Sequence, residues 1–356
     1  MLKKTIRRLG ALAMVLAMAV SVFAVNASAA VTNPKITKTV NAANNVKAPA
    51  TSFNFTIANV VAAEDANGVV ATLDDGTPVY EGETGGVTFM DGSTTGTITF
   101  DAESALSKSA DLKFDTTKFP RPGVYAYTIS EVVPADADKY DGMSYAPQTK
   151  TLYVYVVNGT NGGLVVDGCE FLNETSKGDG VFTNTYTTNN LKVIKKITGT
   201  QGVQGDKFSF QVTVNGADGE KYTMTIPDGN GGTTTVTLTS GEASAVFELS
   251  GDQSAMIYGL SANDTFTVTE TTANSAGYKT TYGVADGITN GDATVTGTAT
   301  ISGEKMGTTD KTATVRNDKS PSTPTGVIMT IAPYALMVVL AGAFAVVFLS
   351  RRNRAE

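Results

Sequence analysis

Three residue types that can react with one another, lysine, glutamate and asparagine, recur in the same order in both halves of this 356-residue sequence. Each lysine lies in an opening β-forming segment, each glutamate ends an alternating segment, and each asparagine lies in a closing segment. The first triad is Lys38, Glu131 and Asn184, and the second triad is Lys195, Glu270 and Asn317. The repeated order makes these six residues the candidates for chemistry.

The side chains of a triad could form an amide bond if the fold buried them together. Burial strongly disfavours an unpaired ion, so a buried amine tends to lose its proton and a buried carboxyl to keep one. A neutral amine is a nucleophile and a carboxamide is an electrophile, and an acid between them can polarise the carbonyl and carry the proton. Contact enforced by the fold raises the effective concentration of the pair. The expected product is a Lys–Asn isopeptide bond, formed with loss of ammonia.

A structural interpretation competes with this reactive one. A lysine in a β-strand usually extends its amine to solvent at an edge, and any single lysine of the triads fits that description. Lys195 also stands beside Lys196, whose side chain would point to the opposite face, so a register error between the two is an open alternative. The occurrence of one order in both halves favours the reactive interpretation.

Short alternating segments separated by turns must position the triads. Apolar and polar residues alternate at 52–57 and 208–214, and glycine-rich turns such as 228–232 separate segments of this kind. The pattern predicts an all-β fold of two tandem immunoglobulin-like sandwiches. The first and last strands of a sandwich can lie side by side, which would bring each lysine to its asparagine. The predicted domains are residues 31–188 and 189–318.

Both ends of the chain carry processing signals. Residues 1–30 combine basic residues, an apolar run and small residues, which is the pattern of a secretory signal peptide. At the other end, a linker with a Pro-Thr-Gly peptide (319–326) precedes an uncharged run (327–350) and a basic tail (351–356). The run is long enough to span a bilayer. The peptide resembles a sorting signal of Gram-positive surface proteins, which implies cleavage by a sortase between Thr325 and Gly326.

Composition excludes several classes of function. The chain has no histidine, which removes Ser-His-Asp catalysis, Cys-His catalysis and histidine-ligated metal sites. Its one cysteine, Cys169, cannot form an intramolecular disulfide. The formal net charge of −7 disfavours nucleic acid as a partner. Aspartate-rich turns at 136–142 and 228–230 lack the closing glutamate of a calcium loop, so no metal and no cofactor is predicted.

The two triads resemble those of the sortase-assembled pilins of Gram-positive bacteria, and in particular of streptococcal backbone pilins. The segment from Glu270 to Tyr278 is also similar to the Glu-Thr-x-Ala-x-x-Gly-Tyr box of pilin domains, with one residue inserted. The resemblance extends over nearly the whole chain. It implies two CnaB-type sandwiches, each locked by an isopeptide bond, with Glu131 and Glu270 as the catalytic residues. It implies no enzyme activity beyond this single self-catalysed step.

The resemblance also implies a lysine that accepts the next subunit. In backbone pilins this lysine lies seven residues before the first asparagine, which corresponds to Lys177 here. Glycine, serine and aspartate residues surround Lys177 and predict an exposed segment that an enzyme could grip. The Tyr-Pro-Lys motif of other pilins is absent, and Lys150 and Lys196 are competing candidates.

A structural major pilin subunit is therefore the expected function. A class C pilin sortase would join identical subunits covalently into a shaft on a Gram-positive cell, for adhesion and colonisation. Further implied partners are minor tip and base pilins, peptidoglycan through the base, and host-surface ligands. The alternative is a monomeric wall-anchored adhesin with isopeptide-stabilised domains. A wall-bound hydrolase is disfavoured, because Glu131 and Glu270 belong to separate repeats and do not form a catalytic pair.

Overall fold

The computed structural model describes residues 34–60, 68–73, 75–173, 176–291, 300–321 and 325–352. Up to residue 321 the regular secondary structure of the described residues is β-strand apart from two short 3-10 helices, and the strands fall into two groups along the sequence. Strands up to Tyr186 form two sheets, and strands from Asn189 onward form two others. The all-β expectation is confirmed. The predicted signal peptide lies outside the described residues.

The first group has more strands than the second. In chain order they are β1 (Lys35–Asn41), β2 (Ser52–Asn59), β3 (Val69–Thr72), β4 (Pro78–Glu81), β5 (Val87–Phe89), β6 (Thr95–Thr99), β7 (Ser107–Phe114), β8 (Gly123–Val132), β9 (Met143–Ser144), β10 (Thr149–Asn158), β11 (Leu164–Asn173), β12 (Ser176–Lys177) and β13 (Val181–Tyr186). Short 3-10 helices at Thr116–Lys118 and Asp136–Asp138 connect some of them. One sheet has the order β5-β7-β1-β13-β9. The other has the order β12-β11-β10-β8-β2-β6, with β4 on β8 and β3 on β4.

The second group is a smaller pair of sheets. Its strands are β14 (Asn189–Thr198), β15 (Phe208–Asn215), β16 (Lys221–Pro227), β17 (Thr233–Thr239), β18 (Phe247–Leu249), β19 (Ser254–Leu260), β20 (Thr265–Glu270), β21 (Lys279–Asp286), β22 (Ile301–Lys305) and β23 (Lys311–Asp318). One sheet has the order β17-β16-β19-β14-β23-β21, and the other has the order β18-β15-β20-β22. In both groups the first and last long strands, β1 with β13 and β14 with β23, are parallel neighbours.

Alternation of side chains along the strands builds a core between the sheets of each group. On β15 the residues at every second position, from Phe208 to Val214, are buried, and the residues between them are partly exposed. Successive side chains of a strand point to opposite faces, so such a strand covers the core with one face only. On β1 the same inward face carries Ile36, Lys38 and Val40. A lysine therefore occupies a core position.

A buried polar cluster joins the two groups of strands. The Tyr186 hydroxyl, at the end of β13, donates a hydrogen bond to Glu220 Oε1 at 2.7 Å. The Tyr222 hydroxyl lies 2.9 Å from Glu220 Oε2 and 3.1 Å from Asp264 Oδ2. At the rim, Asn263 donates backbone and side-chain N–H groups to the Asp141 carboxylate. We call Tyr186, Glu220, Tyr222 and Asp264 the junction cluster.

A single long helix, α1 (Thr325–Arg352), follows the strands in the described part of the chain. Its stretch from Tyr334 to Arg351 is long and apolar enough to cross a membrane by length and composition. The helix therefore coincides with the uncharged run that the sequence predicts to span a bilayer.

Candidate functional site: two buried lysine–glutamate–asparagine triads

The lysine and the asparagine of each triad lie on adjacent parallel strands. Lys38 is on β1, and Asn184 is on β13, where it pairs in register with Val40. In the second triad Asn317 of β23 likewise pairs with the residue two positions after the lysine of β14. Residues two apart on a strand share a face, so the lysine and the asparagine both point into the core.

The glutamate of each triad comes from the facing sheet. Glu131 lies on β8 opposite Phe55 of β2, and Glu270 lies on β20 opposite Phe210 of β15. In both cases the partner is the second phenylalanine of a Phe-x-Phe segment. The carboxyl thus reaches across the core to the lysine and the asparagine, and three distant segments of sequence meet at one point.

In the first triad the carboxyl of Glu131 holds the other two side chains, one on each oxygen. Lys38 Nζ donates to Glu131 Oε2 at 2.7 Å, and Asn184 Nδ2 donates to Glu131 Oε1 at 2.6 Å. All three residues are buried. The structure therefore brings together the residues that the sequence predicts for the first half.

The second triad repeats this arrangement. Lys195 Nζ donates to Glu270 Oε2 at 2.7 Å, and Asn317 Nδ2 donates to Glu270 Oε1 at 2.8 Å. All three residues are buried here too. The carbonyl oxygen of Asn317 is buried and has no hydrogen-bond partner among the described residues. In the first triad the corresponding oxygen, Asn184 Oδ1, has a hydrogen-bond donor in Gln148.

Aromatic rings keep both amines away from water. Lys38 Nζ lies 4.5 Å from the centre of the Phe53 ring, and Lys195 Nζ lies 4.0 Å from the centre of the Phe208 ring. Burial lowers the pKa of the Lys38 amine below its ordinary value, and the charge and hydrogen bond of Glu131 only partly offset this. Burial likewise lowers the pKa of the Lys195 amine to about 8. A larger share of each amine is therefore nucleophilic at neutral pH than in solvent.

The contacts of the glutamate bear on the reaction that the sequence predicts. Its carboxyl contacts the amide nitrogen of the asparagine, which is the leaving group of an amide exchange, as well as the attacking amine. The sequence leads us to expect that the acid would polarise the amide carbonyl and carry the proton. In both triads the carboxyl is hydrogen-bonded to the amide nitrogen of the asparagine, and its role in the reaction stays a prediction.

The alternative lysines occupy different surroundings. Lys196 donates to Asp252 Oδ1 at 2.7 Å on the far side of the strand from the core, so Lys195 rather than Lys196 reaches the second triad. Lys177 of β12 has a 71% exposed side chain and lies 3.7 Å from Glu170 Oε1. The side chains of Lys150 and Lys196 are 16% and 22% exposed and also have acidic partners. Lys177 is the most accessible of the three candidate acceptors.

The predicted sorting peptide lies at the start of the terminal helix. Thr325 is the first residue of α1, and Gly326 is the second. The preceding residues, 322–324, lie outside the described residues. Thr325 and Gly326 stay predictions as cleavage-site residues.

Gln148, which belongs to no sequence motif, also touches the first triad. Its Nε2 lies 3.4 Å from Asn184 Oδ1 and 2.6 Å from the carbonyl oxygen of Thr183. It stands in the connection between β9 and β10, outside any alternating segment. Its only signal in the sequence is its position before the β-forming run that starts at Thr149, which does not separate it from other loop residues.

Two known families match the chain, one over each group of strands. The profile of the family described as Spy0128-like isopeptide containing domain matches residues 34–187. The profile of a domain of unknown function, DUF7601, matches residues 189–305. A curated relative named Pilin, from Streptococcus pyogenes serotype M1, is 30% identical over 260 residues. That match covers 71% of this chain and 74% of the relative.

Solved structures of major pilins show the same fold. The major pilin of Streptococcus pyogenes is 23% identical, with a TM-score of 0.56 over 82% of this chain and 100% of the other. The major pilin T-13 of Streptococcus pyogenes is 25% identical, with a TM-score of 0.52 over 82% of this chain and 98% of the other. From its sequence relatives and its fold together, the chain belongs to the pilin family and is a relative of the streptococcal major pilins.

Proposed function

We propose that this structural pilus subunit closes each of its sandwiches with a Lys–Asn isopeptide bond and is then joined covalently to identical subunits. The observation that supports the bonds is the same in both halves. One buried glutamate carboxyl is hydrogen-bonded both to a lysine amine and to an asparagine carboxamide. Burying a lysine and a glutamate together costs desolvation free energy and contributes little to stability by itself. The occurrence of the same buried pair in both halves therefore supports a chemical role for the triads.

The reaction exchanges one amide for another. Lys38 Nζ bonds to Asn184 Cγ, and the bond between Asn184 Cγ and Nδ2 breaks. Glu131 accepts the proton that the amine gives up and delivers a proton to the leaving nitrogen, which departs as ammonia. The same steps apply to Lys195, Glu270 and Asn317. Each triad reacts once, so the protein has no turnover as an enzyme.

Assembly into a shaft joins Thr325 of one subunit to Lys177 of the next. A pilin sortase cleaves between Thr325 and Gly326 and transfers the Thr325 carbonyl to the amine of Lys177 on the next subunit. The exposure of Lys177, beside less exposed competitors, supports this assignment. The apolar segment of α1 holds the subunit in the membrane until cleavage. Minor pilins would complete the tip and base, and the base would attach to peptidoglycan at the cell surface.

Two measurements test the proposal. Intact-mass spectrometry of the folded protein should show a deficit of two ammonia molecules, roughly 34 Da, relative to the sequence mass. The full sequence mass would refute the isopeptide bonds. Co-expression with the cognate pilin sortase should give a ladder of covalent multimers. If the protein were instead found only as single copies linked to the wall, the adhesin alternative would replace the pilin subunit.

A further inference from the structure

We propose that Gln148 stabilises the negative charge that develops on Asn184 Oδ1 when Lys38 attacks, and that it serves the first triad only. This inference rests on the proposed isopeptide reaction. It concerns the carbonyl oxygen of the asparagine, because the hydrogen bonds of the triad join the glutamate only to the lysine amine and to the asparagine nitrogen. Three features of the molecule support it: the orientation of the Gln148 amide, the contacts that hold this amide in place, and the lack of a hydrogen-bond partner for Asn317 Oδ1 among the described residues.

The backbone of Thr183 fixes the orientation of the Gln148 side chain. The Thr183 N–H donates to Gln148 Oε1 at 3.0 Å, and Gln148 Nε2 donates to the Thr183 carbonyl oxygen at 2.6 Å. Because Thr183 offers both a donor and an acceptor, these two hydrogen bonds distinguish the oxygen of the Gln148 amide from its nitrogen. One hydrogen on Nε2 is used by Thr183, and the second is available to Asn184 Oδ1, which lies 3.4 Å away.

The main chain of Gln148 is attached to the opposite sheet. The Glu131 N–H donates to the Gln148 carbonyl oxygen at 3.1 Å, and the next residue, Thr149, pairs with Ser130. The side chain of Gln148 therefore contacts the asparagine strand, while its backbone contacts the glutamate strand. This connection between the sheets holds the amide donor, the carboxyl and the carboxamide in one fixed relation.

The Gln148 N–H donor is expected to accelerate formation of the Lys38–Asn184 bond. As the bond between Lys38 Nζ and Asn184 Cγ forms, the carbonyl electrons move to Oδ1, and they return when the bond between Cγ and Nδ2 breaks. Glu131 handles the proton that ends on ammonia and does not touch Oδ1. A donor placed in advance at a developing oxyanion contributes about 10²–10³-fold in rate where it has been measured. The 3.4 Å contact before reaction can shorten as the charge develops.

The second triad provides a comparison within the same molecule. Its carbonyl oxygen, Asn317 Oδ1, is buried without a hydrogen-bond partner among the described residues. The distances from its glutamate to its lysine and asparagine nevertheless match those of the first triad to within 0.2 Å, at 2.7 and 2.8 Å against 2.7 and 2.6 Å. A change at Gln148 should therefore affect one bond and leave the other as an internal standard.

The experiment measures the two bonds separately during refolding. The full-length chain is kept unreacted in urea, refolded into detergent, quenched at intervals and digested, so that each cross-linked peptide pair is counted by mass spectrometry. Gln148→Glu retains the shape and an acceptor for Thr183 but loses the N–H donor. It should slow the Lys38–Asn184 bond at least about tenfold and leave the Lys195–Asn317 bond at its wild-type rate. Gln211→Glu is the matched control, because Gln211 Nε2 donates to the Ser244 carbonyl oxygen and its side chain lies between the buried positions of β15, on the face turned away from the core.

Hydrogen exchange distinguishes a structural effect of Gln148→Glu from a loss of oxyanion stabilisation. In a Glu131→Gln background, which cannot react, the amides that pair β1 with β13 should be equally protected with and without Gln148→Glu. If the slower bond were accompanied by loss of that protection, the oxyanion role would be wrong. Equal rates for the first bond in the wild type and in Gln148→Glu would also overturn it, while the proposed function stands. A wild-type protein that forms no first bond would overturn both.

Discussion

Asn184 lies two register positions beyond Lys38 on the neighbouring parallel strand, opposite Val40 rather than opposite the lysine itself. The second triad has the same offset between Lys195 and Asn317. A long lysine side chain can lean along its strand to reach an asparagine so placed, and the facing glutamate contacts the ends of both side chains. Two sandwiches of different strand number thus share one local geometry.

Replacing either glutamate should remove one cross-link and leave the other. Glu131→Gln and Glu270→Gln each keep the volume of the side chain but cannot carry the proton from amine to leaving nitrogen. Each variant should be about 16 Da heavier than the wild type, because the retained ammonia adds about 17 Da and the change from glutamate to glutamine removes about 1 Da. Each should also lose stability on the order of 5 kcal/mol, because a covalent link that closes a loop of more than 100 residues restricts the unfolded chain by about that amount.

The control for these variants is Glu248→Gln. Glu248 forms an exposed ion pair with Lys207, and exposed pairs contribute little to stability. Its mass should show the full ammonia deficit, and its thermal unfolding should match the wild type. A Glu131→Gln protein that still lacks two ammonia molecules would contradict the role given to the carboxyl.

Lys177→Ala should abolish covalent polymerisation by the cognate sortase without changing the fold. The side chain is mostly exposed, so its removal leaves the core intact. The readout is the ladder of multimers on a denaturing gel. Lys150→Ala and Lys196→Ala are matched controls that remove less exposed lysines, and both should keep the ladder. A ladder that persists in Lys177→Ala and disappears in one control would move the acceptor to that lysine.

Mechanical force should pass around the second sandwich when its cross-link is present. Tension applied between Lys177 and Thr325 runs to Lys195, crosses to Asn317 and leaves at the C-terminal end. Single-molecule pulling of the wild type between these points should show no release of the second sandwich. In Glu270→Gln the chain between the strands of the triad is free to extend, which adds on the order of 400 Å at about 3.4 Å per residue. Absence of this extra length would refute the load path.

The junction cluster should make stability fall as pH rises toward neutrality. Burial, with the nearby Glu220 charge, raises the pKa of the Asp264 carboxyl from 3.8 to about 7. A carboxyl with a raised pKa in the folded state binds its proton more tightly there than in the unfolded chain. Its contribution is complete below pH 3.8 and is lost as pH rises through about 7. At about 1.4 kcal/mol per pKa unit, the loss is on the order of 4 kcal/mol.

Urea unfolding at a series of pH values measures this effect. Asp264→Asn keeps an oxygen acceptor for the Ser261 N–H and the Tyr222 hydroxyl but cannot ionise. The variant should have a flatter pH dependence between 4 and 8 than the wild type and should be the more stable protein near pH 8. Asp252→Asn, in an exposed ion pair, is the control and should keep the wild-type slope. Identical slopes for all three proteins would contradict the assignment.

Much of the fold and of the reactive chemistry could be predicted from the sequence. Alternation at every second residue identifies strands, because side chains of a strand point to opposite faces whatever the strand pairs with. Lysine and asparagine in such apolar segments also stand out, since burying them is costly without partners. The order lysine, glutamate, asparagine in both halves therefore selects Lys38, Glu131 and Asn184 in the first half. In the second half the choice of Lys195 over Lys196 needed the structure.

Only the tertiary structure decides what else touches these residues. Gln148 reaches Asn184 across 36 residues of sequence, and Glu220 reaches Tyr186 across 34. Neither contact follows from a local period, because each depends on which strands pair and on the path of an irregular connection between them. The tertiary structure also decides whether the nitrogen or the oxygen of the asparagine amide faces the glutamate. Residue types and their order determine what chemistry is available to this protein, and the packing of the two sheets decides which atoms carry it out.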